Sequence, residues 1–250
     1  MFKTIKSTMA ISIFIFLING CTSNTFNQKE FTYRESLLLK ANNHGGLINL
    51  YREKLKTRED DTVRIKLANA YYLAGDSKSS LYYLQSVTDK KTEYFHLIKT
   101  KNLINQNETI AAEIAVKELL TIAPNNAEAH NLNGIVLADS GDMQKSEKAF
   151  EQARALFIND EIAMNNIAVV AMLDNRYTDA VRILLPDYLA GNRNSQILHN
   201  LVFSLIKLGD TQYAKKIVIA EKMATEPDEL LLALRQVEHL HQIEISDKGI

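Results

Sequence analysis

The chain holds one soft nucleophile, the thiol of Cys21. It stands directly behind the run Phe14–Gly20, which closes an apolar stretch from Met9 to Ile18 preceded by Lys3 and Lys6. A charged start followed by a short apolar core is the pattern of an export signal. The run is too short to span a bilayer, which takes about 20 apolar residues. A thiolate at this boundary can form a thioether with a lipid, and Gly20 beside it leaves room for a cleaving protease. A disulfide within the chain is closed to it, because no second cysteine exists.

The other side chains suited to catalysis or metal binding are the six histidines, His44, His96, His130, His199, His239 and His241. His239 and His241 are two apart, so on a helix they point to different faces, and Glu238 beside them does not complete a metal edge. His130 and His199 fall on the first helix of a repeating unit described below, where a histidine packs or lines a groove. No glycine-rich phosphate loop is present, and no serine lies in a nucleophile turn. No catalytic, cofactor or metal role is expected, and a periplasmic hydrolase or metal protein is the remote alternative.

Composition narrows the field further. The chain has 250 residues, 46% of them hydrophobic, with only three prolines and nine glycines, which favours an all-helical fold. The net charge is −1, and loss of Met1–Gly20 removes two lysines and leaves −3. No basic stripe is present, so nucleic acid is not an expected partner. No small-molecule substrate is indicated either.

The elements that position these residues repeat. Three segments, "NLNGIVLADSGDMQKSEKAFEQA", "NNIAVVAMLDNRYTDAVRILLPD" and "HNLVFSLIKLGDTQYAKKIVIAE", share a helix–turn–helix pattern whose turns sit at Gly141, Asn175 and Gly209. Their period is 34, and it extends back to Asn107 and, two residues short, to Gly75. This is the tetratricopeptide (TPR) period. Small residues at the crossing of the first helix (Ala68, Thr100, Gly134, Ala168, with the bulkier Val202 last) let it approach the second closely. The second helix supplies Ser80, Ala112, Ser146, Ala180 and Ala214, then the space-filling Leu84, Val116, Phe150, Leu184 and Val218. The expected fold class is therefore an all-α, right-handed TPR solenoid. Its divisions are a signal peptide over 1–20, a polar tether over 21–30, a degenerate helical hairpin over 31–60 turning at Gly45–Gly46, five repeats over 61–226, and a capping helix and tail over 227–250.

Such an array presents a concave surface made mainly by its first helices. Helical spacing assigns to it Glu128, Asn131 and Ile135, then Ile162, Asn165 and Val169, then Gln196, His199 and Phe203. An apolar floor flanked by amides suits an amphipathic or extended peptide. The alternative is that Ile135, Val169 and Phe203 only pack between repeats. Asn166 and Asn200 are expected to hydrogen-bond between helices. Clamping of a terminal carboxylate is disfavoured, since no lysine or arginine occupies these positions.

Two resemblances add to this reading. "FIFLINGCTSN" is similar to a bacterial lipobox, with Ile18 and Gly20 in the usual places and Asn19 in a departure from them; an ordinary secretory signal followed by cysteine is the alternative. Over 31–237, the order "NNIAVVAMLDNRYTDAVRILLPDYLAG", "LHNLVFSLIKLGDTQYAKKIV" and an acidic proline-containing junction resembles TadD, the TPR lipoprotein family of the tight-adherence (Flp pilus) machinery. An "LLP" insertion after the fourth repeat carries that similarity. The resemblance implies a lipid on Cys21 and an outer-membrane location on the periplasmic face. Thr22, where aspartate would signal inner-membrane retention in bacterial lipoproteins, agrees with that. It also implies a noncatalytic, pilotin-like role toward the secretin or another component of the machine. Adaptors of type IV pili, outer-membrane protein assembly or cell-wall enzymes are the alternatives within the same class.

Overall fold

The computed structural model describes residues 28–89 and 91–237. Cys21, the signal segment and most of the tether lie outside the described residues, as does the tail from Glu238 with His239 and His241. Among the described residues the chain forms thirteen helices and no strand. They are α1 (Gln28–Lys40), α2 (His44–Thr57), α3 (Asp61–Leu73), α4 (Ser77–Gln85), α5 (Glu93–Asn105), α6 (Thr109–Ile122), α7 (Ala127–Asp139), α8 (Met143–Ala155), α9 (Asp160–Leu173), α10 (Tyr177–Leu189), α11 (Ser195–Lys207), α12 (Thr211–Ala220) and α13 (Pro227–Gln236). None of the described helices is long and apolar enough to cross a membrane.

Each repeat hairpin turns on a left-handed residue. Gly75, Asn107, Gly141, Asn175 and Gly209 all take positive φ, between 56° and 86°, which glycine and asparagine tolerate best. The residue that follows starts the next helix. Asp76, Asp142 and Asp210 accept the backbone N–H of Ser79, Lys145 and Tyr213 and so satisfy donors that an open helix end would leave bare. In these three hairpins one dipeptide stops the first helix and starts the second, while α6 and α10, which follow Glu108 and Arg176, begin without a side-chain cap.

Consecutive helices pack antiparallel along the chain, and α3, α5 and α7 also touch in sequence, as do α9 and α11, while α13 closes the end against α11 and α12. The core is correspondingly a row of layers: one around Phe31, Leu50 and Leu67, one around Ala68, Leu84 and Ile98, one around Val116, Leu132 and Phe150, and one around Leu184, Leu201 and Ile217. Each layer is built by neighbouring hairpins, as in a solenoid. The crossing positions are fully sealed: Ala68, Thr100, Ala168 and Val202 show no exposed surface. At Gly134 a methyl group would lie 2.6 Å from the ring of Phe150, so only glycine fits that approach.

Two local expectations are corrected. The first hairpin turns at Asn42, which takes φ 48°, and not at Gly45–Gly46. Those glycines lie in the first turn of α2, where the Asn43 side chain caps Gly46 N–H at 2.8 Å. The "LLP" segment is not an insertion: Leu184, Leu185 and Pro186 lie inside α10, near its C-terminal end. Pro227 opens α13 in its first turn, where a missing N–H costs nothing.

Candidate partner-binding groove

Since α3, α5 and α7 touch one another in sequence, as do α9 and α11, and among the described residues no comparable contact joins successive second helices, the inner face of the array belongs to these first helices. Residues seven and eleven apart on a helix share one stripe, because 7 and 11 residues are close to whole turns. The inner stripes are Thr62–Asn69–Leu73, Tyr94–Lys101–Asn105, Glu128–Ile135–Asp139, Ile162–Val169–Leu173 and Gln196–Phe203–Lys207. Contacts between stripes confirm the alignment. Lys101 pairs with Glu128 of the next first helix, and its ammonium lies 5.7 Å from the centroid of the Tyr72 ring on the preceding one.

The residues assigned to the groove from sequence divide sharply. Asn131, Ile135, Asn165, Val169 and Phe203 are buried, the last at 6% exposure, so a partner cannot reach them. Ile162 and Gln196 are half-buried and His199 is exposed, and these three do face solvent. Phe203 belongs to the last core layer: Tyr177 meets its ring edge-on at 6.1 Å, and the Lys207 ammonium covers it at 5.4 Å. Lys207 also donates to the carbonyl of Val237 at the end of α13, tying the terminal helix to the inner face. Here an apolar residue expected to face a ligand is used instead to join repeats.

The asparagines on these helices have a different task. Asn166 Nδ2 donates to Asn131 Oδ1 at 2.8 Å, and Asn200 Nδ2 donates to Asn165 Oδ1 at 2.9 Å. The offset is 35 in each case, one more than the repeat, so one amide per first helix hands on to the next. A similar device joins the earlier units, where buried Asn102 donates to Ser80 Oγ at 2.8 Å. These bonds set the spacing of the helices by geometry that apolar packing alone does not specify.

The accessible part of the groove lies further toward the N-terminus. Leu73 and Tyr94 are nearly half exposed, while Tyr72, Asn69, Lys101 and Ile104 are half-buried. At mid-array stands Asp139, exposed yet ringed by protein, so that loss of hydration pushes its carboxyl above the usual carboxylate range. The same burial, with the charge of Glu128, pushes up the phenol of Tyr94. Reading the stripe only through its first and middle positions in repeats three to five misses these residues; carrying it to its last position and back to the first repeats finds them.

Of the described histidines, His130 Nε2 lies 2.8 Å from the Pro124 carbonyl, and buried His96 lies 3.5 Å from Glu118. No group of histidine, cysteine, aspartate and glutamate among the described residues could hold a metal ion.

No protein-family model matches the chain, and no curated protein matches it in sequence. Solved structures do. A tetratricopeptide repeat protein from Parabacteroides merdae superposes with a TM-score of 0.67 at 12% identity, over 85% of this chain and 84% of its own. The C-terminal part of a TPR repeat-containing protein from Cytophaga hutchinsonii gives 0.55 at 12% identity, over 82% and 78%. The Cut9–Hcn1 hetero-tetramer of APC/C gives 0.66 at 14% identity over 80% of this chain; the match spans 40% of the length of that one. At such identities the likeness is one of fold, and the fold of this chain is the all-α TPR solenoid.

Proposed function

We propose that this protein is a noncatalytic lipoprotein scaffold of the outer membrane, serving Flp pilus (tight-adherence) assembly in a pilotin-like role toward the secretin. The observation that supports it is the union of a lone cysteine behind a run with the pattern of an export signal with a TPR solenoid whose first described helix begins at Gln28. Acyl chains on Cys21 would hold the array at the bilayer, each buried CH₂ contributing ~0.8 kcal/mol, so that several chains anchor durably. The inner face then offers a concave, partly apolar surface to a segment of another protein. The Cut9–Hcn1 neighbour is a TPR-fold chain held in a hetero-tetramer, which agrees with a scaffold of this kind. The similarity to TadD supplies the machine and the secretin as partner.

The test is deletion of the gene in its own host, complemented by wild type or by Cys21→Ser. Secretin multimers in the outer membrane should fall on deletion and return with the wild-type gene. The Cys21→Ser protein should remain an unlipidated precursor and leave the outer-membrane fraction. Normal multimers in the deletion strain would remove the pilotin role, and unchanged fractionation of Cys21→Ser would remove the lipid anchor.

A further inference from the structure

Away from the groove, the N-terminal hairpin differs from the rest of the array in its charge and in what it leaves uncovered. Residues 28–58 hold seven lysines and arginines against three acidic residues, whereas residues 59–237 hold 19 against 24. One of those three acids, Glu35, is buried and accepts from the Tyr51 hydroxyl and the Lys66 ammonium, both at 2.8 Å. The hairpin therefore meets solvent as a cationic end of the solenoid. α1 packs mainly on α2, with Phe31 and Glu35 buried and Leu38 half-buried on its inner side. Opposite them runs the stripe Lys29–Tyr33–Leu37–Lys40, whose spacings of four, four and three residues keep it on one line of the helix. Tyr33 is 64% exposed and Leu37 47%. Two cations thus bracket an apolar pair that faces away from the core.

We infer that this stripe of α1 is a membrane-contact surface, which lies on an anionic bilayer with Tyr33 and Leu37 in the interface and Lys29 and Lys40 on lipid phosphates. Two observations choose this occupant. The first is charge: an anionic surface complements the hairpin, whereas a second copy stacked on the same face would set two cationic ends against each other. The second is reach: seven residues separate Cys21 from Gln28, and seven residues span at most about 25 Å whatever path they take. A lipid on Cys21 therefore keeps the start of α1 close to the bilayer. That location rests on the lipid-anchor reading, while the affinity of the stripe for lipid does not. Tyrosine suits the headgroup level, with its ring in the apolar layer and its hydroxyl in the wet one. Lysine stems lie along apolar surface while their ammonium groups reach the phosphates. The anchor then holds the protein near the bilayer, and α1 sets which end of the solenoid faces it.

The chain contains no tryptophan, so Tyr33→Trp introduces a single fluorophore that reports its own surroundings. The experiment uses the mature chain from residue 21 with Cys21→Ser, which carries no lipid and includes all the described helices. It is mixed with vesicles of phosphatidylethanolamine and phosphatidylglycerol, or of phosphatidylcholine alone. Emission of Tyr33→Trp should move to shorter wavelength with the anionic vesicles only, and Tyr82→Trp, as exposed on α4, should not move. Lys29→Gln together with Lys40→Gln should weaken vesicle binding about 25-fold, at about fivefold for each cation at an anionic surface. Leu37→Ser should reduce the Tyr33→Trp shift, with an unchanged melting temperature showing that the exposed substitution leaves the fold intact. Salt should release the unlipidated protein, so Cys21→Ser still leaves a salt-washed membrane fraction. No shift with anionic vesicles, or an equal shift with phosphatidylcholine or at Tyr82→Trp, would overturn the inference. Self-association without lipid that Leu37→Ser abolishes would also overturn it and give the face to a second copy. All of these results leave the lipid anchor standing or falling on the fractionation of Cys21→Ser alone.

Discussion

Phe203→Ala separates the two uses of an apolar residue on the inner stripe. The ring is 6% exposed, lies edge-on to Tyr177, is covered by Lys207 and belongs to the layer that joins α9 through α13. Truncating a buried phenylalanine to alanine costs about 3–5 kcal/mol, from lost burial and the cavity left behind. In a chain of this size 1 kcal/mol moves the melting temperature by about 2–4 °C, so the drop should be about 6–20 °C. A solenoid couples only neighbouring units, so the loss should be local. Amide exchange followed by mass spectrometry should quicken in α9–α13 and change little in α1–α4. His199→Ala, exposed on the same helix, should leave stability within about 0.5 kcal/mol. A melting temperature for Phe203→Ala within about 2 °C of wild type would refute this reasoning and return the ring to the ligand-facing surface.

Gly134→Ala pits a helix-propensity gain of about 1 kcal/mol against overpacking of about 1–3 kcal/mol, since its methyl would meet the Phe150 ring at 2.6 Å. Urea unfolding should show a net loss that Phe150→Leu reverses in the double variant, and a stabilised single variant would contradict the close crossing. Asn131→Leu removes the acceptor for the Asn166 amide at a buried position and should cost about 1–3 kcal/mol by the same measurement; no loss would mean that the ladder contributes nothing. Burial holds the His96 imidazole below the ordinary histidine range, outweighing the Glu118 carboxylate beside it. Because the folded state binds that proton less readily than the unfolded one, stability should be full above about pH 6.5 and fall as pH drops toward the folded value. Urea midpoints at pH 7.5 and 5.5 should show this fall, and His96→Gln should reduce it; an equal fall in the variant would assign the titration elsewhere.

Much of the fold was legible because the repeat writes it five times. The left-handed turn residues, the small crossing residues and the space-filling Leu84, Val116, Phe150, Leu184 and Val218 follow the 34-residue period, shortened by two residues at the first repeat. The errors fell where a residue type has two uses. Gly45 and Gly46 suit a turn, yet Asn42 takes the left-handed conformation because Asn43 can then cap the helix they begin. Proline normally stops a helix, but Pro186 is tolerated near the end of α10. The groove was less legible still, since periodicity assigns a residue to a face and cannot tell how closely the next helix covers that face. Asn131 and Asn165 point inward as read, and the amides of Asn166 and Asn200 then close over them.

The middle residue of each inner stripe grades the groove along its length. It is Asn69, then Lys101, then Ile135, Val169 and Phe203. Where that residue is polar it stays half in water; where it is apolar, successive first helices bury it and the floor becomes core. The early repeats therefore keep reachable side chains, among them Tyr72, Leu73 and Tyr94, while the later repeats are sealed by packing and by the terminal helix.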